Sequence, residues 1–223
     1  MKKRIAAMTL AVVFLVVTLF TFTSCSPYET VQSLTQKMEE TQKYTVSIDM
    51  DMSMEYGSQG FQCLANIISE TDGDKMHVSY DIVYDEENTD LNMSMESYLY
   101  LDGNLRKIMS RETSEDEWVT YPISSSDNGL GDLEEYLTID FDWDKFTEDY
   151  FDQDGNTLTL KEEKYVEFFP YFADYIDYFK VTAGFNQFTI EYSMSYDLSL
   201  SAFEMIVTMS ISNIGTTTVT IPE

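Results

Sequence analysis

Residues 43–56 read KYTVSIDMDMSMEY, and their alternation decides the fold. Tyr44, Val46, Ile48, Met50, Met52, Met54 and Tyr56 fall on one side; Thr45, Ser47, Asp49, Asp51, Ser53 and Glu55 fall on the other. A period of two is that of a β-strand with one buried and one wetted face. The methionine face therefore needs a partner, either an ordinary core or a cavity for an apolar molecule.

The same period recurs along the chain. Phe61–Glu70 and Lys75–Tyr84 are predicted strands joined by a turn at TDGD, 71–74. LNMSMESYLYLDGNLRKIMS supplies two more, joined at Asp102-Gly103, a dipeptide suited to the positive φ of tight hairpins. A further strand is expected near Glu117–Ile123, a brief one at NTLTL (156–160), and two near the end through Phe188–Tyr196 and Phe203–Ile211. TTTVTIP closes the chain as an expected edge or terminal strand.

Helical spacing shows in three places. Val31, Leu34 and Met38 mark a short amphipathic helix within Tyr28–Gln42 that leads straight into the first strand. After a loop at 124–132, Leu133, Tyr136, Leu137, Phe146 and Tyr150 suit short helical pieces. Tyr165, Phe168, Phe172, Ile176 and Phe179 suggest a helix with an aromatic stripe, kinked or interrupted at Pro170. Helix, strands, helices, strands is the order of an α+β domain: one large antiparallel sheet with its helices on one face.

The N-terminus places the domain. Lys2, Lys3 and Arg4 precede an apolar run from Ile5 to Phe22, the layout of a secretory signal. The run closes on Phe22-Thr23-Ser24-Cys25, which resembles the lipobox of bacterial lipoproteins apart from Phe22, where that box usually has Leu. The resemblance implies a signal peptide over residues 1–24, lipidation of Cys25, and a mature domain 25–223 held at the extracytoplasmic face of the cell membrane. An ordinary cleaved signal or an uncleaved anchor helix is the alternative, since 18 apolar residues can just span a bilayer. Little tether separates Cys25 from the first helix, so the domain would sit close to the lipid.

Charge narrows the partners. The 223-residue chain carries 40 acidic and 13 basic residues; loss of 1–24 removes three basic and no acidic ones, leaving 10 against 40. Nucleic acid is excluded as a partner because phosphate binding needs a basic patch. Anionic headgroups are repelled too, so attachment falls to acyl chains, at about 0.8 kcal/mol per buried methylene. With Cys25 acylated, Cys63 is the only other cysteine and an intramolecular disulfide is ruled out.

Catalytic constellations are thin. Asp49 and Asp51 are two apart on one strand face, about 6.5–7 Å, within the range of an inverting glycosidase pair, but among so many carboxylates such pairs arise by chance. His77 is the sole histidine and falls on a polar strand side, where exposure is expected. DQDGNTLTLKEE (152–163) matches four EF-hand ligand positions with Asp152, Asp154, Asn156 and Glu163, yet has Thr157 where the loop needs Gly; an Asp-Gly turn is the simpler reading. No enzyme activity, cofactor or metal is expected.

Taken together, the FTSC box, LTQKMEETQKY, YTVSIDMDMSM, the mid-chain Asp-Gly hairpin and ISNIGTTTVTIP resemble the LolA/LppX/LprG-like group and related lipoproteins of Gram-positive bacteria. The resemblance implies a curved half-barrel sheet with helices packed on its concave face, and a cavity there for acylated molecules. The candidates for its lining are Met50, Met52, Met54, Tyr80, Met93, Met95, Phe172, Met205 and Met209, since methionine adapts to irregular apolar partners. The competing class is an acidic, lipid-anchored interaction module with a closed core that docks a cationic protein.

Overall fold

The strand at 43–56 sits at the centre of the sheet. In the computed structural model, which describes residues 26–57, 59–85, 89–122, 143–198 and 201–222, it is β1 (Lys43–Tyr56). On one side it pairs with β2 (Gln59–Asp72), followed outward by β3 (Lys75–Tyr84), β4 (Met93–Asp102), β5 (Leu105–Arg111) and β6 (Val119–Pro122). On the other side come β11 (Ser201–Ser212), β10 (Phe188–Leu198), β9 (Ile176–Ala183), β8 (Thr157–Leu160) and β7 (Phe151–Asp154). All neighbours are antiparallel and the 11 strands do not close, which makes one large open sheet, a curved half-barrel of α+β class with its helices on one face.

The methionine face of β1 turns toward the helices. Ile48 lies opposite Met209 on β11, which lies opposite Ile190 on β10 and then Val181 on β9. Helix α1 (Pro27–Thr41) covers this row, burying Tyr28, Val31 and Leu34. Its start is well specified: the Glu29 N–H donates to Ser26 Oγ at 3.2 Å, the Ser26 N–H donates to Glu29 Oε2 at 3.2 Å, and Pro27 follows the cap. Gln42, at φ 49°, ends the helix in the left-handed region and turns the chain directly into β1.

The core is lopsided. Its buried residues come from α1, β1, β7–β11 and the flanking Phe146 and Ile214; Phe146, Phe151 and Phe179 are wholly enclosed. Phe146 stacks on Phe151 at 4.9 Å, and Phe168 meets both edge to face at 5.9 and 5.7 Å. The β2–β6 arm buries only Cys63, Ala65, Val78 and Leu99 among its described hydrophobic residues. Burial pushes the Cys63 thiol pKa up, and Asp51 adds to the shift, which leaves it a small core hydrophobe.

The arm is braced instead on the sheet's outer face, and here His77 departs from its expected exposure. The ring is largely covered, hydrogen-bonded to Glu70 at 2.8 Å and Glu96 at 3.1 Å, and stacked on Tyr98 at 4.4 Å. Arg111 donates to Glu96 through Nε (2.9 Å) and Nη2 (2.6 Å) while lying over the Trp118 ring. Burial raises the Glu96 pKa, but the hydrogen bonds from Arg111, Tyr98 and His77 together with the Arg111 charge outweigh it, and the net shift is downward. A carboxylate with a lowered folded-state pKa stabilises fully above its ordinary value and loses that contribution as pH falls through the lowered one. Melting curves at stepped acidic pH are therefore expected to show Glu96→Gln less stable than wild type at neutral pH and the gap closing in acid.

Three expectations need correction. The aromatic stripe is not one helix: α2 spans only Tyr165–Phe168, a short 3₁₀ turn follows at Ala173–Tyr175, and β9 begins at Ile176. Pro170 has no N–H to continue the helix. A bulge opposite Ser193/Met194 then sends both Ile176 and Phe179 inward, three residues apart, which imitates a helical turn. Asp177 at the bulge accepts hydrogen bonds from Ser193 (3.1 Å) and Ser195 (2.8 Å).

TTTVTIP forms no strand either. β1 and β11 already pair with each other, so the centre of the sheet offers no free edge. Val219 is buried instead, its N–H donating to Asp72 Oδ2 at 3.2 Å. Finally, Phe151–Asp154, within the stretch around 133–154 read as helical pieces and turn, is strand β7; Leu133, Tyr136 and Leu137 lie outside the described residues. β7 and β8 form a hairpin through Gly155 (φ 58°) and Asn156, so Asp152 and Asp154 sit on a strand and Glu163 on a later 3₁₀ turn, not around an EF-hand loop.

Candidate ligand cavity

The two halves of the sheet are unequally filled, and a cavity of about 560 Å³ lies where the filling stops. Its roof is the C-terminal half of α1, through Thr35, Met38, Glu39 and Gln42. Its floor runs across the concave face from Phe188 and Ile190 on β10, through Met209 and Ile211 on β11 and Tyr44 and Val46 on β1, to Thr71, Met76 and Leu99 on β2, β3 and β4. Trp143 closes one side and packs edge to face on Phe188 at 5.6 Å. The volume falls within the range of small-molecule sites, about 300–1,000 Å³, and the lining is mixed: an apolar floor is met by the polar or charged Thr35, Glu39, Gln42, Thr71, Asp74, Lys75 and Arg106.

Topology explains the gap. α1 lies over the β8–β9 side of the sheet and is too narrow to cover β2–β4 as well. The register row Tyr44–Thr71–Met76–Leu99 continues the floor beyond the helix. The positive φ of Gly73, 60°, lets β2 turn tightly into β3 at the mouth, where Asp74, Lys75 and Arg106 stand. Thr71 Oγ1 is buried with no hydrogen-bond partner and lies in the lining, a polar atom with spare capacity.

Of the nine residues singled out for a lining, the cavity includes Met209. Met50 and Met205 pack against the filled core. Met52 lies between Cys63 and Met205, and Met54 between Phe61 and Phe203, toward the far end of β1. Tyr80 reaches Met95 Sδ at 3.8 Å on the arm, Met93 is about half exposed, and Phe172 is exposed on the turn after α2. Cys25 and the leader at 1–24 lie outside the described residues. Of the residues that do line the space, Tyr44 and Val46 share the apolar face of β1 with its methionines, and Met38 continues the apolar stripe of α1 beyond Leu34, toward uncovered sheet; Leu99 and Trp143 carried no such signal.

Asp49 and Asp51 stand on the outer face, where Asn66 donates to Asp49 at 2.7 Å and Gln62 to Asp51 at 3.1 Å.

Neither a family model nor a curated protein sequence matches the chain. Among solved structures, that of a DUF1329 family protein from Desulfovibrio piger is similar over 89% of this chain and 96% of that one, at 11% identity and a TM-score of 0.23, a similarity too low to carry an argument about function. The large open antiparallel sheet, with its concave face only half filled, is compatible with a ligand-binding domain.

Proposed function

We propose that the protein is a lipid-anchored, extracytoplasmic binding protein that holds a hydrophobic or acylated molecule beneath α1 and performs no catalysis. The cavity carries this reading: Val46, Leu99, Phe188, Ile190, Met209 and Ile211 give it an apolar floor that favours burial of an apolar chain, while Glu39, Asp74, Lys75 and Arg106 in the lining suit a polar headgroup. The signal-like leader and Cys25 box support attachment to the outer face of the cell membrane. Native mass spectrometry with lipid extraction, on the protein purified from bacterial membranes in mild detergent, is expected to show a co-purified acyl species at fixed stoichiometry. A clean apoprotein that also refuses added fatty acid would defeat the proposal.

One observation favours the second reading. On the outer face Leu64, Val83 and Ile206 are exposed side by side, with Asp49, Asp51 and Asp81 around them. A cationic protein segment with apolar residues would suit that patch, and its binding would weaken steeply with salt, unlike burial of an apolar ligand.

A further inference from the structure

The end of the sheet opposite the cavity carries exposed aromatic side chains. Tyr171 is 86% exposed; Phe172 and Tyr175 beside it and Val166 on α2 are exposed as well, as are Tyr56 and Leu198, which share the last register row with Ser201. Ring contacts and register join the Tyr175 turn to the Tyr56 row. Tyr175 meets Tyr196 at 5.9 Å, Tyr196 stacks on Phe203 at 5.5 Å, and Phe203 lies opposite Met54, one row in from Tyr56.

The start of α1 lies toward this segment as well. α1 ends at the cavity and runs back from it for 15 residues, about 22 Å at 1.5 Å per residue. Near its start, the Tyr28 hydroxyl donates to the Phe151 carbonyl at 3.0 Å, and the Phe151 ring meets Phe168 of α2. Ser26, the helix cap, directly follows the segment that holds Cys25 and the Ile5–Phe22 run. The start of α1 and the segment that carries the aromatic turn are thus tied together through Phe151 and Phe168.

We propose that this aromatic end seats on the lipid bilayer, with Tyr56, Val166, Tyr171, Phe172, Tyr175 and Leu198 in the headgroup region. Tyrosine suits that depth because its ring is apolar and its hydroxyl can stay wet. Exposed Glu55, Asp174 and Asp197 flank the patch, so a zwitterionic surface suits it better than an anionic one. The cavity is then held away from the bilayer, since β1 alone spans about 43 Å between the two ends. The inference rests on the membrane attachment proposed above.

The test uses the processed, membrane-purified protein in zwitterionic vesicles containing a photoactivatable phosphatidylcholine, with cross-linked peptides identified by mass spectrometry. Cross-links in 165–175 and in the peptide holding Leu198, besides those in the N-terminal peptide that holds Cys25, are expected. The double variant Tyr171→Asp/Phe172→Asp should lose most of the 165–175 cross-links while keeping those in the N-terminal peptide. Cross-links confined to the N-terminal peptide, or a 165–175 peptide joined to a second protein copy, would overturn the seating and leave attachment standing. A chain that takes no lipid cross-link anywhere would overturn both. Should the variant fail to fold, as judged by circular dichroism, the wild-type map decides.

Discussion

Phe179→Ala is expected to destabilise the protein by about 3–5 kcal/mol, measured as the fall in unfolding free energy in urea. The side chain is wholly buried at the point where four aromatic neighbours converge: Phe168 at 5.4 Å, Phe169 at 5.3 Å, Phe151 at 6.3 Å and Tyr192 at 6.3 Å. Removing the ring loses both its burial and these contacts, and the paired strands on either side prevent collapse into the hole. Because α2 holds only four residues, Phe168 and Phe169 anchor its turn mainly through this cluster, so the 165–175 segment should lose protection from hydrogen exchange first. A loss below about 1 kcal/mol would mean that the aromatic cluster is not the centre of the core.

The strands were the most legible part of the sequence, and the reason is physical. In β1, β3 and β10 one face meets the concave side and the other meets water, so burial writes a period of two directly into the residues. Lys75–Tyr84 was readable to the residue because TDGD and the polar stretch after it bound the strand on both sides. α1 was equally plain: the stripe of Val31, Leu34 and Met38 placed it within Tyr28–Gln42, one residue from its bounds of Pro27–Thr41 at either end. The stripe from Tyr165 to Phe179 misled at Ile176 and Phe179 because a bulge shifts the inward set by one, and spacing along a chain does not distinguish a bulged strand from a turn of helix.

The cavity was less legible than the sheet that floors it. Methionine identified the concave face but not where along that face space is left open. That depends on how far α1 reaches and on which end of β1 it crosses. Because α1 joins β1 through Gln42 alone, the uncovered region lies at the Tyr44 end, and Met52 and Met54 lie at the other. Trp143 shows the same limit: its position against Phe188 depends on a long-range contact that no local pattern records. His77 was misjudged for a related reason, since Glu70 and Glu96 reach it from the two neighbouring strands.

The second large effect follows from that placement. Met76 and Leu99 are register partners on β3 and β4 and both line the cavity, so Met76→Trp with Leu99→Trp should fill its floor from the arm side. Met54→Trp adds the same ring at the far end of β1, away from the lining, and should leave the cavity unchanged. Titration of each variant with a fluorescent fatty acid, after circular dichroism has established that each is folded, measures the difference directly. Weakening of at least tenfold in the double variant, about 1.4 kcal/mol, with wild-type affinity in Met54→Trp, is the expected result. Equal affinity in all three proteins, or loss in Met54→Trp alone, would contradict a ligand beneath α1.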